Sequence, residues 1–308
     1  MRRARGAAAL VLASGLALVL AARVGAAPTA AFEREDGGPR GVALGAHCVA
    51  LLDDDYALTQ SPGRLAYSFG SASAQYNRID PDVNLWRGRV GAVRPVGREI
   101  TQPLQPGRLW RAVAGVALDV TQLDLIEGSS YSEATATGGA GAALLDFLAV
   151  GATVHYDRAT SAVTDIRGHG FGVDVGVAGT LADHWDAAIS IRNAFGRVKF
   201  DGARSEDRAA ELTAGIAASH YRLWQAEADY VLQDNRTAAT SLGVEVHLVP
   251  GTLDLRGGLT RERIPFVRTI ASAGLGVKVD RLRLDYAFRS DPDGFSNDQH
   301  QVAIGARF

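Results

Sequence analysis

Alternation of apolar and polar residues is the feature of this sequence that most restricts its fold. Over residues 281–289, leucine and aromatic side chains alternate with arginine and aspartate, and residues 184–195, 221–233 and 298–308 show the same period of two. Successive side chains point to opposite faces of a β-strand, whereas a helix would give a period of about 3.6. The region after residue 64 is therefore predicted to be all-β, with one apolar and one polar face on each strand.

Turn residues divide this region into segments of similar length. Short junctions such as 182–184 and 249–251 alternate along the chain with longer polar connections such as 124–131 and 290–298. We count about 14 strands, with an uncertainty of two, because the Pro-bearing stretch 94–107 is ambiguous. The predicted strands are 65–76, 84–94, 108–123, 131–143, 147–158, 167–181, 184–195, 207–219, 221–233, 237–248, 252–262, 267–279, 281–290 and 298–308.

Composition excludes two classes of protein. The formal net charge is -2, which gives no overall attraction to nucleic acid, so a basic nucleic-acid-binding protein is excluded. Hydrophobic residues make up 47% of the chain, yet the mean hydropathy is +0.00. The apolar residues are dispersed and not collected into long runs, so a bundle of transmembrane helices is excluded.

Two all-β architectures fit this alternation. A soluble sandwich or propeller buries the apolar face, whereas an outer-membrane barrel turns that face to lipid and the polar face to its lumen. Alternating short and long connections favour an antiparallel transmembrane β-barrel, and so does a chain that stops on a strand ending at Phe308 and leaves no tail to cap a sheet edge. Aromatic residues also open several strands, as an interfacial girdle requires: Trp110, Phe147, Trp185, Tyr221 and Trp224.

The first residues resemble an export signal. Three arginines precede an apolar run from Ala7 to Ala22, and small residues follow at 24–26. We predict that residues 1–26 are a cleaved signal peptide. A retained anchor is the alternative, but about 16 residues in a helix reach only about 24 Å. The one cysteine, Cys48, then has no disulfide partner in the chain, and we expect a small buried residue and not a reactive thiol.

Residues 43–66 do not alternate, and they resemble the N-terminal motif of the PorV/PorQ group of outer-membrane barrels, which is similar to FadL-type transporters. That motif has a small-residue stretch, an Ala-Asp-Asp element and an Asn-Pro-Ala-Gly-Leu-Ala element, and Ser61 stands here in place of its Asn. The resemblance extends through the final two strands to Phe308. The positions that carry the motif are Gly45, Ala50, Asp53, Asp54, Ala57, Ser61, Pro62 and Leu65.

The resemblance implies that residues 27–63 are an N-terminal periplasmic segment that forms a plug or hatch, with the barrel at 64–308. Three consecutive acids at Asp53–Asp55 could not face lipid, and we expect them to meet inward arginines. A solvated acidic loop at the mouth of the barrel is the alternative. The acids lack the alternate spacing of a calcium loop, so we expect no metal. The arginines predicted to meet them are Arg256, Arg283 and Arg307, which together with Asp285 are the predicted lumen charges.

Catalytic motifs are absent from the sequence. It contains no Gly-x-Ser-x-Gly, no His-Glu-x-x-His and no phosphate-binding loop, so we expect no catalytic residue, no cofactor and no enzyme activity. His155 and Asp157 share one face of a strand and could form half of a catalytic pair. A hydrogen-bonded pair in the lumen is the interpretation we favour.

Three functions remain open. The PorV/PorQ resemblance implies transport or protein secretion across the outer membrane of a Gram-negative-type bacterium. A FadL-like passive transporter of hydrophobic small molecules is the alternative, and a barrel enzyme of phospholipase type is the least favoured. The expected partners are outer-membrane lipid, a secreted protein cargo or a hydrophobic small molecule, and the barrel assembly machinery, which would recognise the last strand and Phe308.

Overall fold

The computed structural model describes most of the chain from residue 37 onward. The predicted signal peptide at 1–26 lies outside the described residues. The backbone alone is described for residues 98–101 and 108–110. The described ranges are 37–80, 84–101, 108–124, 130–162, 167–202, 205–220, 223–233, 236–263, 267–292 and 298–308.

Fourteen of the described strands close into one antiparallel barrel in which neighbours in sequence are neighbours in space. The pairing of β1 with β15 closes the ring. One further strand, β8, has two residues and pairs with β7 beside the ring. The strands are β1 Ser71–Asp80, β2 Leu85–Thr101, β3 Arg108–Asp124, β4 Ser130–Leu145, β5 Leu148–Ser161, β6 Arg167–Ala182, β7 Trp185–Phe200, β8 Glu206–Asp207, β9 Glu211–His220, β10 Trp224–Gln233, β11 Arg236–Val249, β12 Leu253–Glu262, β13 Arg268–Val279, β14 Leu282–Ser290 and β15 Gln299–Arg307.

The predicted fold class is confirmed. The last strand pairs with the first over an unbroken register from Ser71 opposite Arg307 to Arg78 opposite His300. Closure leaves neither terminal strand with a row of unpaired backbone groups. One end of the barrel carries tight connections such as 183–184 and is called the short-turn end. The other carries longer connections such as 201–210 and is called the loop end.

Two strand boundaries differ from the prediction by six or more residues. The first strand was expected from residue 65, but Pro62–Tyr67 forms a 3₁₀ helix and β1 begins at Ser71. Residues 62–67 are all buried, which explains why they do not alternate. The second strand was expected to end at residue 94, but β2 continues to Thr101 across a register shift between Val96 and Glu99. The bulge accommodates Pro95 and Gly97 without ending the strand.

The two faces of each strand separate by polarity as predicted. On β14, Leu284 is 51% exposed whereas the next residue, Asp285, is 6% exposed. The same contrast separates Phe171 from Asp174 on β6. Trp185 and Trp224 open β7 and β10 and are exposed. The face that carries most of the charges therefore points inward, and the outer wall is apolar between the two ends of the barrel.

The barrel encloses the residues that precede β1. We call residues 37–70 the inner segment. It contains α1 (Gly38–Ala43), α2 (Ala57–Gln60) and the 3₁₀ helix. Helix α1 packs on β12–β15, whereas the 3₁₀ helix packs on β3–β7 across the lumen. Within the part of the chain that the structure describes, no helix is long and apolar enough to cross a membrane.

Glycines in the wall allow the backbone of the inner segment to approach closely. A Cβ atom on Gly258 of β12 would lie 2.5 Å from the backbone nitrogen of Gly45. On the other side of the lumen, a Cβ atom on Gly176 of β6 would lie 2.8 Å from the backbone nitrogen of Gly63. Side chains at these positions would push the two backbones apart. Each glycine therefore marks a point at which the segment rests on the wall.

We predict that Gly258→Ala destabilises the barrel by about 1–3 kcal/mol, because the added methyl group has no room beside Gly45. Gly257→Ala is the matched control, since a Cβ atom there would have no described atom within 4 Å. Both variants are unfolded in urea, and heat-modifiable migration on a gel gives the folded fraction and hence the free energy of unfolding. Equal effects of the two substitutions would contradict this packing.

Candidate functional site

The three consecutive acids of the inner segment each bind an arginine on a different part of the structure. Asp53 lies 2.9 Å from Arg40 Nη1 and 3.4 Å from Arg307 Nη2, the latter on β15. Asp54 lies 3.1 Å from Arg283 Nη1 on β14. Asp55 binds Arg89 on β2.

Arg89 on β2 holds Asp55 in a buried pair. Its Nη1 atom lies 2.5 Å from Asp55 Oδ2, and its Nη2 atom donates to the Asp55 backbone carbonyl at 2.9 Å. The guanidinium also lies 4.3 Å from the centre of the Tyr56 ring, within cation–π range. The acidic triplet is thus tied to β2, β14 and β15, which are on one side of the barrel.

The predicted lumen charges divide into two groups. Arg283 and Arg307 contact the acidic triplet, whereas Arg256 binds charges of the wall. Arg256 Nε lies 2.6 Å from Glu245 Oε2, and Arg256 Nη1 lies 2.6 Å from Asp285 Oδ1. Arg256 and Asp285 therefore form a buried wall network to which the inner segment attaches.

Arg40 makes that attachment, and it was not among the residues named from the sequence. It lies on α1, is 6% exposed, and donates from Nε and Nη2 to the two oxygens of Glu245 at 3.0 and 3.2 Å. It also donates to the Leu51 carbonyl at 3.2 Å. A fork of this kind fixes the orientation of α1 on β11. Nothing in the local sequence pattern distinguishes Arg40 from a solvated helix residue.

Glu227 on β10 holds the irregular part of the inner segment. It accepts hydrogen bonds from the backbone nitrogens of Ala50 at 2.5 Å and Leu51 at 3.2 Å, and from Cys48 Sγ at 2.8 Å. The neighbouring Asp229 accepts from Val49 N at 3.4 Å. Backbone donors that no helix or strand satisfies are thereby paired with wall carboxylates.

Cys48 is buried and unpaired by any disulfide. Burial raises the pKa of its thiol well above the ordinary range, and the negative charge of Glu227 raises it further. The thiol therefore stays protonated and unreactive in this site. This matches the expectation of a small buried residue.

The motif residues of the resemblance all lie in the inner segment. Seven of the eight are buried, and the eighth, Asp53, is half-buried. Ser61, which stands in place of the motif Asn, has a buried hydroxyl with no hydrogen-bond partner among the described residues. Pro62 and Leu65 approach the wall at Gly151 and Gly141.

His155 and Asp157 form a buried pair near the loop end. His155 Nδ1 lies 2.9 Å from Asp157 Oδ2. Asp157 also accepts from Thr135 Oγ1 at 2.7 Å and from Arg208 Nη1 at 2.5 Å. Arg208 comes from the connection between β7 and β9, so the pair is part of a network that fastens this connection to the inner wall. The arrangement fits the structural interpretation of these two residues.

One cluster has the residue types of a metal site. Potential ligand atoms of Glu245, His247 and Asp254 lie within 4.8 Å of one another. Both carboxylates already bind cations, since Lys278 Nζ lies 2.7 Å from Asp254 and Arg256 bridges the two acids. A metal ion would have to displace these side chains or sit beside their positive charges. The donor set therefore does not fit a metal.

Neighbouring acids of the inner segment have opposite pKa shifts. Burial alone would raise the pKa of Asp53, but Arg307, Arg40 and Arg283 hold it below its usual range. Burial raises the pKa of Asp54 from 3.8 to about 6 against the effect of Arg283, and the charges of Asp55 and Asp53 add to the rise. Ionisation of Asp54 is therefore more costly in the folded protein than in the unfolded chain.

We predict that the barrel loses up to about 3 kcal/mol of stability between about pH 4 and about pH 6, because folding raises the pKa of Asp54 and its ionisation is more costly in the folded state. Above pH 6 this contribution is constant. Asp54→Asn should remove this loss of stability between about pH 4 and about pH 6. The free energy of unfolding measured against pH for both proteins tests this, and parallel curves would exclude the assignment.

We also predict that Arg40→Met costs about 3–5 kcal/mol, because it removes one of two charged partners from both the buried Glu245 and the half-buried Asp53. Arg236→Met is the control, since Arg236 is exposed on the same strand as Glu245 and should change stability by about 0.5 kcal/mol or less. Urea unfolding measures both. A similar small effect of the two would show that Arg40 does not anchor the segment.

The fold has relatives among solved structures. The chain is similar to the toluene transporter TodX of Pseudomonas putida, with a TM-score of 0.63 and 14% identity over 90% of this chain and 99% of that one. A Pseudomonas aeruginosa FadL homologue matches with a TM-score of 0.62 and 11% identity over 90% and 99% of the two chains. The monoaromatic hydrocarbon channel CymD matches with a TM-score of 0.61 and 12% identity over 89% and 98%.

These likenesses identify the class of fold. The chain has the fold of the FadL-like outer-membrane channels, a fold found in Gram-negative outer-membrane proteins. No protein-family model matches the sequence, and no curated protein sequence matches it. The FadL-like part of the sequence resemblance is thus confirmed at the level of fold, and membership of the PorV/PorQ group is not shown.

Proposed function

We propose that this protein is an outer-membrane channel that passes hydrophobic small molecules by diffusion. The observation that carries the proposal is the fold, in which a barrel like those of TodX, CymD and the FadL homologue encloses an inner segment. Those proteins are described as a toluene transporter, a hydrocarbon channel and a FadL homologue. The substrate class of this chain is inferred from them and from its own lumen.

The outer wall supports the membrane location. On β6, outward side chains stay apolar from Leu181 to Phe171, which are separated by ten residue steps. Ten steps of about 3.3 Å, on strands tilted by about 40°, span a height of about 25 Å. This equals the apolar band of an outer-membrane barrel. By analogy with such barrels, the short-turn end faces the periplasm and the loop end faces outward.

The inner segment supports the role of a plug. It is anchored to both sides of the lumen by wall glycines, by arginine pairs and by Glu227. A solute that crosses the barrel must pass between this segment and the wall or displace it. The many separate contacts favour a segment that moves locally, one contact at a time, over one that leaves as a unit.

An apolar cluster inside the lumen supports a hydrophobic solute. Leu58 and Leu65 of the inner segment pack with Val93 of β2 and Val113 of β3, and all four are fully buried. Arg89 of β2 pairs with Asp55 four residues from Val93, on its loop-end side. A hydrocarbon that occupies the apolar cluster loses its contact with water. The path we propose runs along β2 and β3, and a solute that follows it from the loop end passes Arg89 before it reaches the cluster.

Protein secretion is the second candidate. It is favoured by the run at residues 43–66 that resembles the PorV/PorQ motif and lies wholly in the inner segment. A role in secretion would require a cargo protein to dock at the loop end.

Recognition by the barrel assembly machinery stays a prediction. Phe308 is exposed, and its backbone nitrogen donates to Gly70 at 2.9 Å.

Uptake of toluene and of a long-chain fatty acid tests the proposal. We predict that a host strain without its own FadL-like channels gains uptake of one of these compounds when it expresses this chain, and that Val93→Asp reduces the gain about tenfold. Val96→Asp on the same strand is the matched control, since Val96 is exposed on the outer wall near the short-turn end. Gel mobility confirms that all three barrels are folded.

The two candidates give different results. Unchanged uptake of both compounds, together with recovery of a secreted protein from the detergent-solubilised outer membrane, would favour secretion. A chain found soluble in the periplasm would overturn both.

A further inference from the structure

A row of basic side chains crosses three neighbouring strands on the outer wall. Arg158 of β5 lies directly opposite His169 of β6, and His169 lies opposite Lys199 of β7. All three are exposed and share the outward face. Directly paired residues on adjacent strands have Cβ atoms about 5 Å apart, so the three side chains form one continuous group.

Two further arginines enlarge this group. Arg167 lies two residues from His169 on the outward face of β6, and Arg197 lies two residues from Lys199 on the outward face of β7. Among the described residues, Arg197 forms an ion pair with Asp207 at 3.1 Å, and both side chains are largely exposed. An exposed pair of this kind is weak and can exchange partners. We call these five basic residues the cationic rim.

The cationic rim lies at the edge of the apolar outer surface. Tyr156, Phe171 and Arg197 lie opposite one another in the row immediately below Arg158, His169 and Lys199, and Phe195 lies one row lower. The three aromatic side chains are exposed. Below these aromatic residues the outward side chains of β6 stay apolar to Leu181. The rim therefore sits at the level where the apolar band ends at the loop end, which is where lipid head groups meet a barrel.

We propose that the cationic rim is a binding site for the phosphate groups of an anionic lipid of the outer leaflet, that is, the phosphorylated glycolipid lipid A. The inference rests on the proposed outer-membrane location. Arginine and lysine donate charge-assisted hydrogen bonds to phosphate oxygens, and clustered basic residues beside a membrane-facing surface recognise anionic head groups. The acyl chains would lie on Phe171, Phe195 and the valines below them.

The geometry favours a lipid over a soluble anionic protein. The rim points sideways from the wall, in the direction of the neighbouring lipid, and not upward from a loop tip. The rim is also continuous with the apolar surface below it, so one ligand with a phosphorylated head and apolar chains satisfies both. A soluble acidic partner would have to approach through the plane of the membrane.

Binding of purified lipid A to the full chain in detergent, measured by native mass spectrometry, tests the inference. The rim variant carries Arg158→Gln, His169→Gln and Lys199→Gln. The control variant carries Arg236→Gln, Arg261→Gln and Arg263→Gln, which removes at least as much positive charge from exposed positions at the same end. We expect the rim variant to bind lipid A at least tenfold more weakly than wild type, and the control to bind within about twofold of wild type.

Lipid A from which the phosphates have been removed identifies the group that is recognised. We expect wild type to bind it about as weakly as the rim variant binds intact lipid A. Equal loss in both variants, unchanged affinity of the rim variant, or equal binding of the two lipids would overturn the inference.

Failure of the proposed function gives a different result. Absent hydrocarbon uptake with lipid A binding intact would argue against the channel and not against the rim, whereas fractionation outside the outer membrane would overturn both. Heat-modifiable migration verifies that both variants are folded barrels before they are compared.

Discussion

The closed backbone ladder is the constraint on which the rest of this structure depends. Each strand satisfies its neighbours' hydrogen bonds, and the pairing of β1 with β15 removes the last two edges. A closed ladder with a period of two has one face outside and one inside. Because the apolar residues take the outside, the inside must hold the charges, and each buried charge needs a partner.

The inner segment supplies many of those partners. Glu245 is shared between Arg256 of the wall and Arg40 of α1, and Glu227 accepts hydrogen bonds from the backbone nitrogens of Ala50 and Leu51. Burial makes these contacts mutually dependent, because removing one side leaves a charge or a donor unpaired in a medium of low dielectric. The same contacts therefore stabilise the barrel and hold the inner segment inside it.

Much of the fold follows from residues that are local in sequence. Alternation over residues 281–289 predicts β14 and its faces, and the short junction at 182–184 predicts the hairpin of β6 and β7. The boundaries were wrong where a different constraint acts. Residues 62–67 are helical because they pack inside the barrel, and β2 passes Pro95 through a bulge. Neither effect has a periodic pattern that the sequence could reveal.

The sequence by itself determined the class of fold and which face of each strand is apolar, since alternation of polarity is a property of neighbouring residues. It also predicted that Asp53–Asp55 lie away from the apolar outer face, because three adjacent charges cannot be accommodated there. Only the tertiary structure decided that Arg40 and Arg89 join Arg283 and Arg307 around these acids. Only the register of β5, β6 and β7 brought Arg158, His169 and Lys199 into one row. Pairing across strands depends on shear and closure, which are properties of the whole ring.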